Sequence, residues 1–175
     1  MIKYVLGDAT APIGEGSKII THCCNDIGAW GAGFVLAISR KWPHIEEAYR
    51  ALKSYDLGDV QFVQAEEGIV VANIIGQHDI GPESRRRDAL RGRTGDMIPV
   101  ARSPYREKPR PPIRYEAIEQ GLRVVNYRAT NGAHKSTIHM PRMGCGLAGG
   151  EWSEIEKIIE HTHCSSDGLR LLGAT

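Results

Sequence analysis

The sequence is poor in aromatic residues: three Trp, six Tyr and two Phe make up 6% of its 175 residues. A surface for single-stranded nucleic acid needs aromatic side chains along a basic groove, and little is available to build one. No apolar run approaches the roughly 20 residues that cross a bilayer. The opening MIKYVL lacks the long apolar core of a secretory leader. Cys23, Cys24, Cys145 and Cys164 have a spacing that fits neither a zinc site nor a disulfide framework. Reduced thiols serving as small hydrophobes, in a cytoplasmic protein, are the expectation. Net charge is nearly absent too, at +1, so bulk electrostatics selects no partner. Neither the G-x-G-x-x-G nor the Walker pattern occurs, which disfavours a Rossmann dinucleotide or ATP.

What is present is alternation of strand-like and helix-like segments. Ile2–Leu6 reads as a strand ending at Gly7-Asp8. Lys18–Cys24 (KIITHCC) is a second, ending at Asn25-Asp26; its adjacent cysteines should point to opposite faces. A helix is predicted from about Gly33, with Phe34, Ala37 and Ile38 on one face and Pro43 as its stop. Glu46–Ser54 reads as another helical stretch. Val60–Ala65 and Gly68–Ile75 are strands, the latter apolar enough to be central and covered on both faces. Tyr115–Arg128 carries a helical stripe, Thr137–Met140 is a short strand, and Ser153 with Glu156 suggests a capping box for a last helix. The final DGLRLLGAT reads as a weak closing strand. Such alternation predicts one α/β domain over residues 1–175, a mixed sheet between helical layers.

One stretch, at about 78–110, fits no period. It is broken by glycines and prolines and carries Arg85, Arg86, Arg87, Arg91 and Arg93 among its basic residues. It reads as an irregular basic insertion, a functional or disordered loop. Without aromatics beside it, a nucleic-acid role is disfavoured. His161-Thr162-His163-Cys164 lacks a second ligand cluster and reads as a solvated helix end, so neither metal nor cofactor is expected. His22 and His139 lie on predicted strands and read as core histidines.

Chemistry gathers at three strand ends, where open α/β sheets bind ligands. Asp8 follows the first strand. Asn25 and Asp26 follow the second and lead into Gly28-Ala29-Trp30-Gly31-Ala32-Gly33. Met140-Pro141-Arg142-Met143 leads into Gly144-Cys145-Gly146-Leu147-Ala148-Gly149-Gly150. Two glycine-rich loops between strand and helix let backbone N–H groups converge on a diphosphate unobstructed by side chains. Gly28, Gly31 and Gly33 could equally serve tight turning, and Asp8 and Asn25 taken singly are ordinary turn residues. Trp30, flanked by glycines, is oddly placed for a core anchor.

Together, Gly7-Asp8, THCCNDIGAWGAGFVLAISRKWP, VVANIIGQ, PPIRYEAI and HMPRMGCGLAGGEW resemble the macrodomain family over about Met1 to Glu160. The likeness is to the ALC-like branch related to terminal ADP-ribose protein glycohydrolases, in its bacterial stand-alone form. The resemblance implies a three-layer α/β/α macrodomain that binds ADP-ribose. It implies that Asp8 accepts from the adenine amino group and that Ala9 adds a backbone contact. Gly31, Ala32, Gly33 and Phe34 would form the first phosphate loop, and Gly144, Cys145, Gly146 and Leu147 the second. Asn25, Ile75, Gly76 and Gln77 would lie near the distal ribose, with Asn25 and Gln77 as the candidate catalytic groups.

The sequence departs from this branch in two places. Lysine-dependent hydrolases of the branch carry a lysine where this chain has Gly76-Gln77, and an aspartate where it has Ala148. Its C-terminus also offers leucines where relatives tend to place an aromatic near the adenine. The expected activity is therefore removal of ADP-ribose from acidic protein side chains by lysine-independent attack of water. Its alternatives are a non-catalytic ADP-ribose reader and a hydrolase of ADP-ribose 1''-phosphate or O-acetyl-ADP-ribose. The expected partner is ADP-ribose or an ADP-ribosylated protein, with no membrane.

Overall fold

The structure is a computed structural model that describes residues 2–81, 110–162 and, for the backbone, 169–173. Its strands are β1 (Lys3–Leu6), β2 (Ser17–Asn25), β3 (Val60–Glu66), β4 (Ile69–Gln77), β5 (Ser136–Met140) and β6 (Leu169–Gly173). Its helices are α1 (Val35–Lys41), α2 (Pro43–Arg50), α3 (Tyr115–Asn131) and α4 (Trp152–Thr162). The six strands form one sheet in the order β1-β6-β5-β2-β4-β3. All neighbours are parallel except β3, which runs antiparallel to β4 at one edge. No helix among the described residues is long and apolar enough to cross a membrane.

Side-chain alternation along the central strands builds the two outer layers. On β2, Ile19 packs with α3 and α4, while Ile20 packs with α1 and α2. On β4, Ala72 and Ile74 face the first pair, and Val71 and Ile75 the second. Both strands are thus covered on both faces, which explains their nearly continuous apolar sequence. Cys23 and Cys24 separate in the same way, the first toward α3 and α4, the second toward α1 and α2. Leu122 on α3 and Ile155 on α4 are fully buried between the helices and the sheet, worth roughly 1.5–3 kcal/mol each.

Several boundaries differ from the sequence reading. The second helix starts at Pro43 and ends at Arg50. Proline is tolerated at N1 because that N–H has no intrahelical acceptor, so Pro43 stops α1 and opens α2 at once. The last helix begins at Trp152, which puts Ser153 inside its first turn. The backbone N–H groups of Glu154 and Ile155 instead reach the Glu151 carbonyl, so no capping box forms. Strand β6 does not close the sheet at an edge but lies between β1 and β5. Trp30 is a core residue after all, 6% exposed, its indole Nε1 donating to Ser39 at 2.6 Å. Most of the basic stretch, residues 82–109, lies outside the described residues, as do His163 and Cys164.

Candidate functional site

Because β1, β2, β4 and β5 are parallel, the segments that follow them emerge on one edge of the sheet. β2 and β5 are neighbours, so their two glycine-rich loops stand side by side. β4 flanks β2 on the other side. Asp8 follows β1, separated from β5 by β6. The edge therefore presents, in spatial order, Asp8, the second loop, the first loop and the end of β4.

The first loop is held by its early residues. The Asn25 side chain accepts from the N–H of Ala29 at 2.8 Å and of Ile27 at 3.2 Å, and its Nδ2 donates to the Ala29 carbonyl. The Tyr49 hydroxyl donates to the Asn25 carbonyl at 2.5 Å. Arg50 Nη2 donates to the Trp30 carbonyl at 2.8 Å. Gly28 has φ of +69° and sits against Tyr55, 2.8 Å from where a Cβ would stand. These contacts fix residues 25–30 and leave Gly31, Ala32 and Gly33 exposed.

The second loop folds back on itself. The N–H of Gly149 reaches the Gly146 carbonyl at 3.0 Å, and that of Gly150 the Gly144 carbonyl at 2.8 Å. Met143 and Ala148 are buried beneath it. Arg142 lies over the Trp152 ring, 5.5 Å from its centroid. Gly146 and Leu147 form the exposed tip.

The glycines of the two loops then sort by cause. Gly144 has φ of +72° and abuts Ile113, and a Cβ on Gly150 would meet the Gly144 carbonyl, so these two are required by the fold. Gly33 has φ of +77° and shapes a turn. Gly31 and Gly146 have neither need: their φ is not positive, and a Cβ would meet nothing within 4 Å. Alanine at such a position stabilises a free protein by roughly 0.4–1 kcal/mol. Glycine there leaves open space where backbone can meet a ligand closely.

The remaining expected site residues fall into two groups. Asp8 is exposed, and its Oδ1 accepts from both the backbone N–H and the hydroxyl of Thr10 at 2.8 Å. These bonds hold its carboxyl below the usual carboxylate range, helped by Lys41 and Arg40. No hydrogen bond to Oδ2 is found among the described residues. Ala9 is buried beneath it. Phe34 lies half-buried at the start of α1, with its ring 5.7 Å from that of His22. Gln77 stays at the edge, its Nε2 donating to the Asp79 carbonyl at 2.8 Å. Ile75, Gly76 and Ala148, by contrast, point inward. Ile75 packs against α1 and α2, with its N–H and carbonyl bonded to Asp59 and Gly58. Gly76 is walled in, since a Cβ would stand 2.2 Å from Ile118 and 2.9 Å from the Cys23 sulfur. Ala148 contributes its carbonyl to the Ile113 N–H.

Among the described residues the cysteines offer no activated thiol. Burial raises Cys145, partly opposed by Arg142, and its Sγ donates to the Met143 carbonyl at 3.3 Å. Burial pushes Cys23 up to about 12 and holds Cys24 well above the usual thiol range. Among the described residues no cluster of His, Cys, Asp and Glu could hold a metal ion.

One pair escaped the sequence reading. His78 Nδ1 lies 2.5 Å from Asp26 Oδ2, linking the first residues after β4 and β2. His78 reads from sequence as the start of the irregular stretch. The available signal was positional: it follows a central strand as Asn25 ends its neighbour.

A comparison with models of known protein families finds no match for this chain. Solved structures are similar along its full length. A protein of unknown function from Bacteroides thetaiotaomicron is 44% identical with a TM-score of 0.81, covering 99% of this chain and 98% of that one. A macrodomain protein from Streptomyces coelicolor is 39% identical with a TM-score of 0.72, covering 100% and 99%. Among curated proteins, the chromodomain-helicase-DNA-binding protein 1-like of Danio rerio is 28% identical over 173 residues, 96% of this chain but 15% of its own length. The chain thus spans a small part of the curated relatives it first matches. Two more distant relatives are an ADP-ribose 1''-phosphate phosphatase of Lodderomyces elongisporus, 20% identical over 91% of each chain, and a DNA ADP-ribosyl glycohydrolase of Thermus aquaticus, 24% identical over 98% of this chain and 40% of that one.

Proposed function

Since this chain belongs to the macrodomain family, sharing 39% identity over its whole length with a macrodomain protein, we propose that it binds ADP-ribose along the carboxyl edge of its sheet and hydrolyses the bond joining that group to an acidic protein side chain. The observation that carries the reading is the pair Gly31 and Gly146. On neighbouring strands' loops, both are glycine where the free protein has no conformational or steric use for it. A diphosphate held between them would be met by backbone N–H groups alone. Asp8 Oδ2 would accept from the adenine amino group, and the distal ribose would reach Asn25 and Gln77. The two distant relatives whose names include ADP-ribose support this ligand class.

Catalysis without lysine rests on position and fixed dipoles. Gly76 has no room for a longer side chain, and Gln77 offers an amide where the related hydrolases place an amine. A water molecule, placed by the edge groups, is the nucleophile. The same wall at Gly76 favours a second reading, a reader that binds ADP-ribose without cleaving it.

One experiment separates the readings. The protein is offered a peptide ADP-ribosylated on glutamate, ADP-ribose 1''-phosphate, O-acetyl-ADP-ribose and ADP-ribosylated DNA in parallel, and released ADP-ribose is measured beside calorimetry with ADP-ribose. Release from the peptide is expected. Tight binding with no release from any substrate would leave the reader, and no binding at millimolar ADP-ribose would overturn both.

A further inference from the structure

The ends of β2 and β4 are joined by an arrangement that the binding reading does not use. Asp26 is the first residue after β2 and His78 the first after β4, and the two strands are parallel neighbours. The backbone N–H of Asp26 donates to the Gln77 carbonyl at 3.0 Å, carrying the ladder past the irregularity at Asn25. His78 N–H donates to the Pro112 carbonyl at 2.8 Å. The two strand ends are therefore fixed by backbone alone, before their side chains are considered.

The side chains then form a directed pair. His78 Nδ1 donates to Asp26 Oδ2 at 2.5 Å, and Asp26 Oδ1 accepts the Asp79 N–H at 2.8 Å. Both carboxylate oxygens are engaged. The Asp26 side chain is 14% exposed and that of His78 37%, so the carboxylate lies beneath a partly open imidazole. Nε2 of His78 has no hydrogen-bond partner among the described residues. Asp79, which supplies the second bond to Asp26, has φ of +63°, and it is the one non-glycine with positive φ among the described residues. That conformation costs roughly 1–2 kcal/mol. It is held by the bond to Asp26 and by Gln77 Nε2 on the Asp79 carbonyl.

A carboxylate that takes the Nδ1 proton leaves the lone pair on Nε2, on the open side of the ring. This is the geometry of a base held in one tautomer and one orientation by its partner. We propose that His78 is the general base of the hydrolysis and that Asp26 is its positioning residue; this rests on the hydrolase reading above. In the step, a water O–H gives its proton to Nε2 while the water oxygen bonds to C1'' of the distal ribose. The bond from C1'' to the acyl oxygen breaks, and its electron pair leaves with the side-chain carboxylate, which needs no proton. Nε2 then passes its proton to solvent. Water is consumed, and free ADP-ribose, a carboxylate and one proton are formed.

The test compares the full chain with its His78→Ala, His78→Gln and Asp26→Asn variants, using a glutamate-linked ADP-ribosyl peptide. Calorimetry with ADP-ribose gives Kd, thermal unfolding reports the fold, and initial rates give kcat and KM separately. Both His78 variants are expected to lose about 100-fold in kcat, with Kd and KM within threefold of the parent. Asp26→Asn is expected to lose at least tenfold in kcat, with KM unchanged. Turnover by His78→Gln within threefold of the parent would overturn the assignment while leaving the hydrolase reading intact. Losses of Kd and kcat in equal proportion in all three variants would reduce the pair to a structural clip. A parent that binds ADP-ribose but cleaves nothing would remove both the reading and the base; a parent that does not bind would remove the ligand itself.

Discussion

Within the sheet, His22 Nε2 donates to Asn73 Oδ1 at 2.6 Å, and Asn73 Nδ2 passes the chain on to Gln61 at 2.9 Å. His22 and Asn73 are register partners on β2 and β4, on the face covered by α1 and α2. The imidazole is 1% exposed. Burial lowers its pKa to about 4, against the smaller opposing effect of the Asn73 bond. The folded protein therefore holds His22 neutral at pH values where the unfolded chain, with a pKa of 6.5, binds a proton.

The consequence is acid sensitivity with a defined window. Stability should be unaffected by this group above pH 6.5, fall as pH drops below it, and stop falling near pH 4. By pH 5 the loss should be about 2 kcal/mol. Urea unfolding at pH 7 and 5 measures it. A His22→Gln variant should be less stable at pH 7 but show a shallower fall; an unchanged slope would assign the effect to other groups.

Gly146 and Gly144, two residues apart, should respond oppositely to alanine. Gly146→Ala should raise stability by roughly 0.4–1 kcal/mol while weakening ADP-ribose. Gly144→Ala, at φ of +72° against Ile113, should cost roughly 1–2 kcal/mol or more. Gly146→Glu, which puts a carboxylate where the diphosphate belongs, should abolish binding with the fold retained. Calorimetry and thermal unfolding on the three variants suffice. Parental affinity in Gly146→Glu would end the phosphate-loop assignment.

Asp8 holds a turn through Oδ1, and in the proposed site its Oδ2 is the adenine acceptor. Asn can perform one of these duties but not both, because one of its two positions becomes a donor. Asp8→Asn should thus lower ADP-ribose affinity by about tenfold, the scale of one lost hydrogen bond to a charged group. Ribose 5-phosphate, which has no adenine, should bind parent and variant equally. An equal loss for both ligands would point to the turn instead.

Sodium borohydride added during turnover should leave the mass of the protein unchanged. The side chain that would form an imine with the opened distal ribose is lacking at Gly76 and Gln77. A covalent ADP-ribosyl adduct on any lysine, seen by intact-mass spectrometry, would replace direct water attack by a covalent route.

The alternation of β2 and β4 was legible because each residue commits to one face, and the two glycine-rich loops stood out as composition. What the glycines are for was not legible. Gly31 and Gly144 look alike in sequence and differ in backbone conformation and surroundings: Gly31 faces open space without positive φ, Gly144 abuts Ile113 at φ of +72°. Trp30 misled because flanking glycines say nothing about the Ser39 hydroxyl that accepts from its indole and donates on to Glu46 at 2.7 Å. The bonds from the Asn25 amide to the loop that it precedes were likewise not legible, since they depend on how that loop folds back. The Asp26–His78 pair joins positions far apart in sequence, and only the pairing of β2 with β4 brings them together.

Strand β1 meets the sheet through β6. The residue read as the adenine acceptor therefore depends on a segment that follows every other described element in chain order. β2 pairs with β4 and β5 without residues 169–173, so the two glycine-rich loops can be assembled first. β1 must wait, its ends joined across nearly the whole chain, and closing so long a loop is slow. A released chain truncated before Leu169 would then keep both glycine-rich loops while leaving Asp8 unanchored, and in the proposed site it would take up a diphosphate without telling adenine from another base.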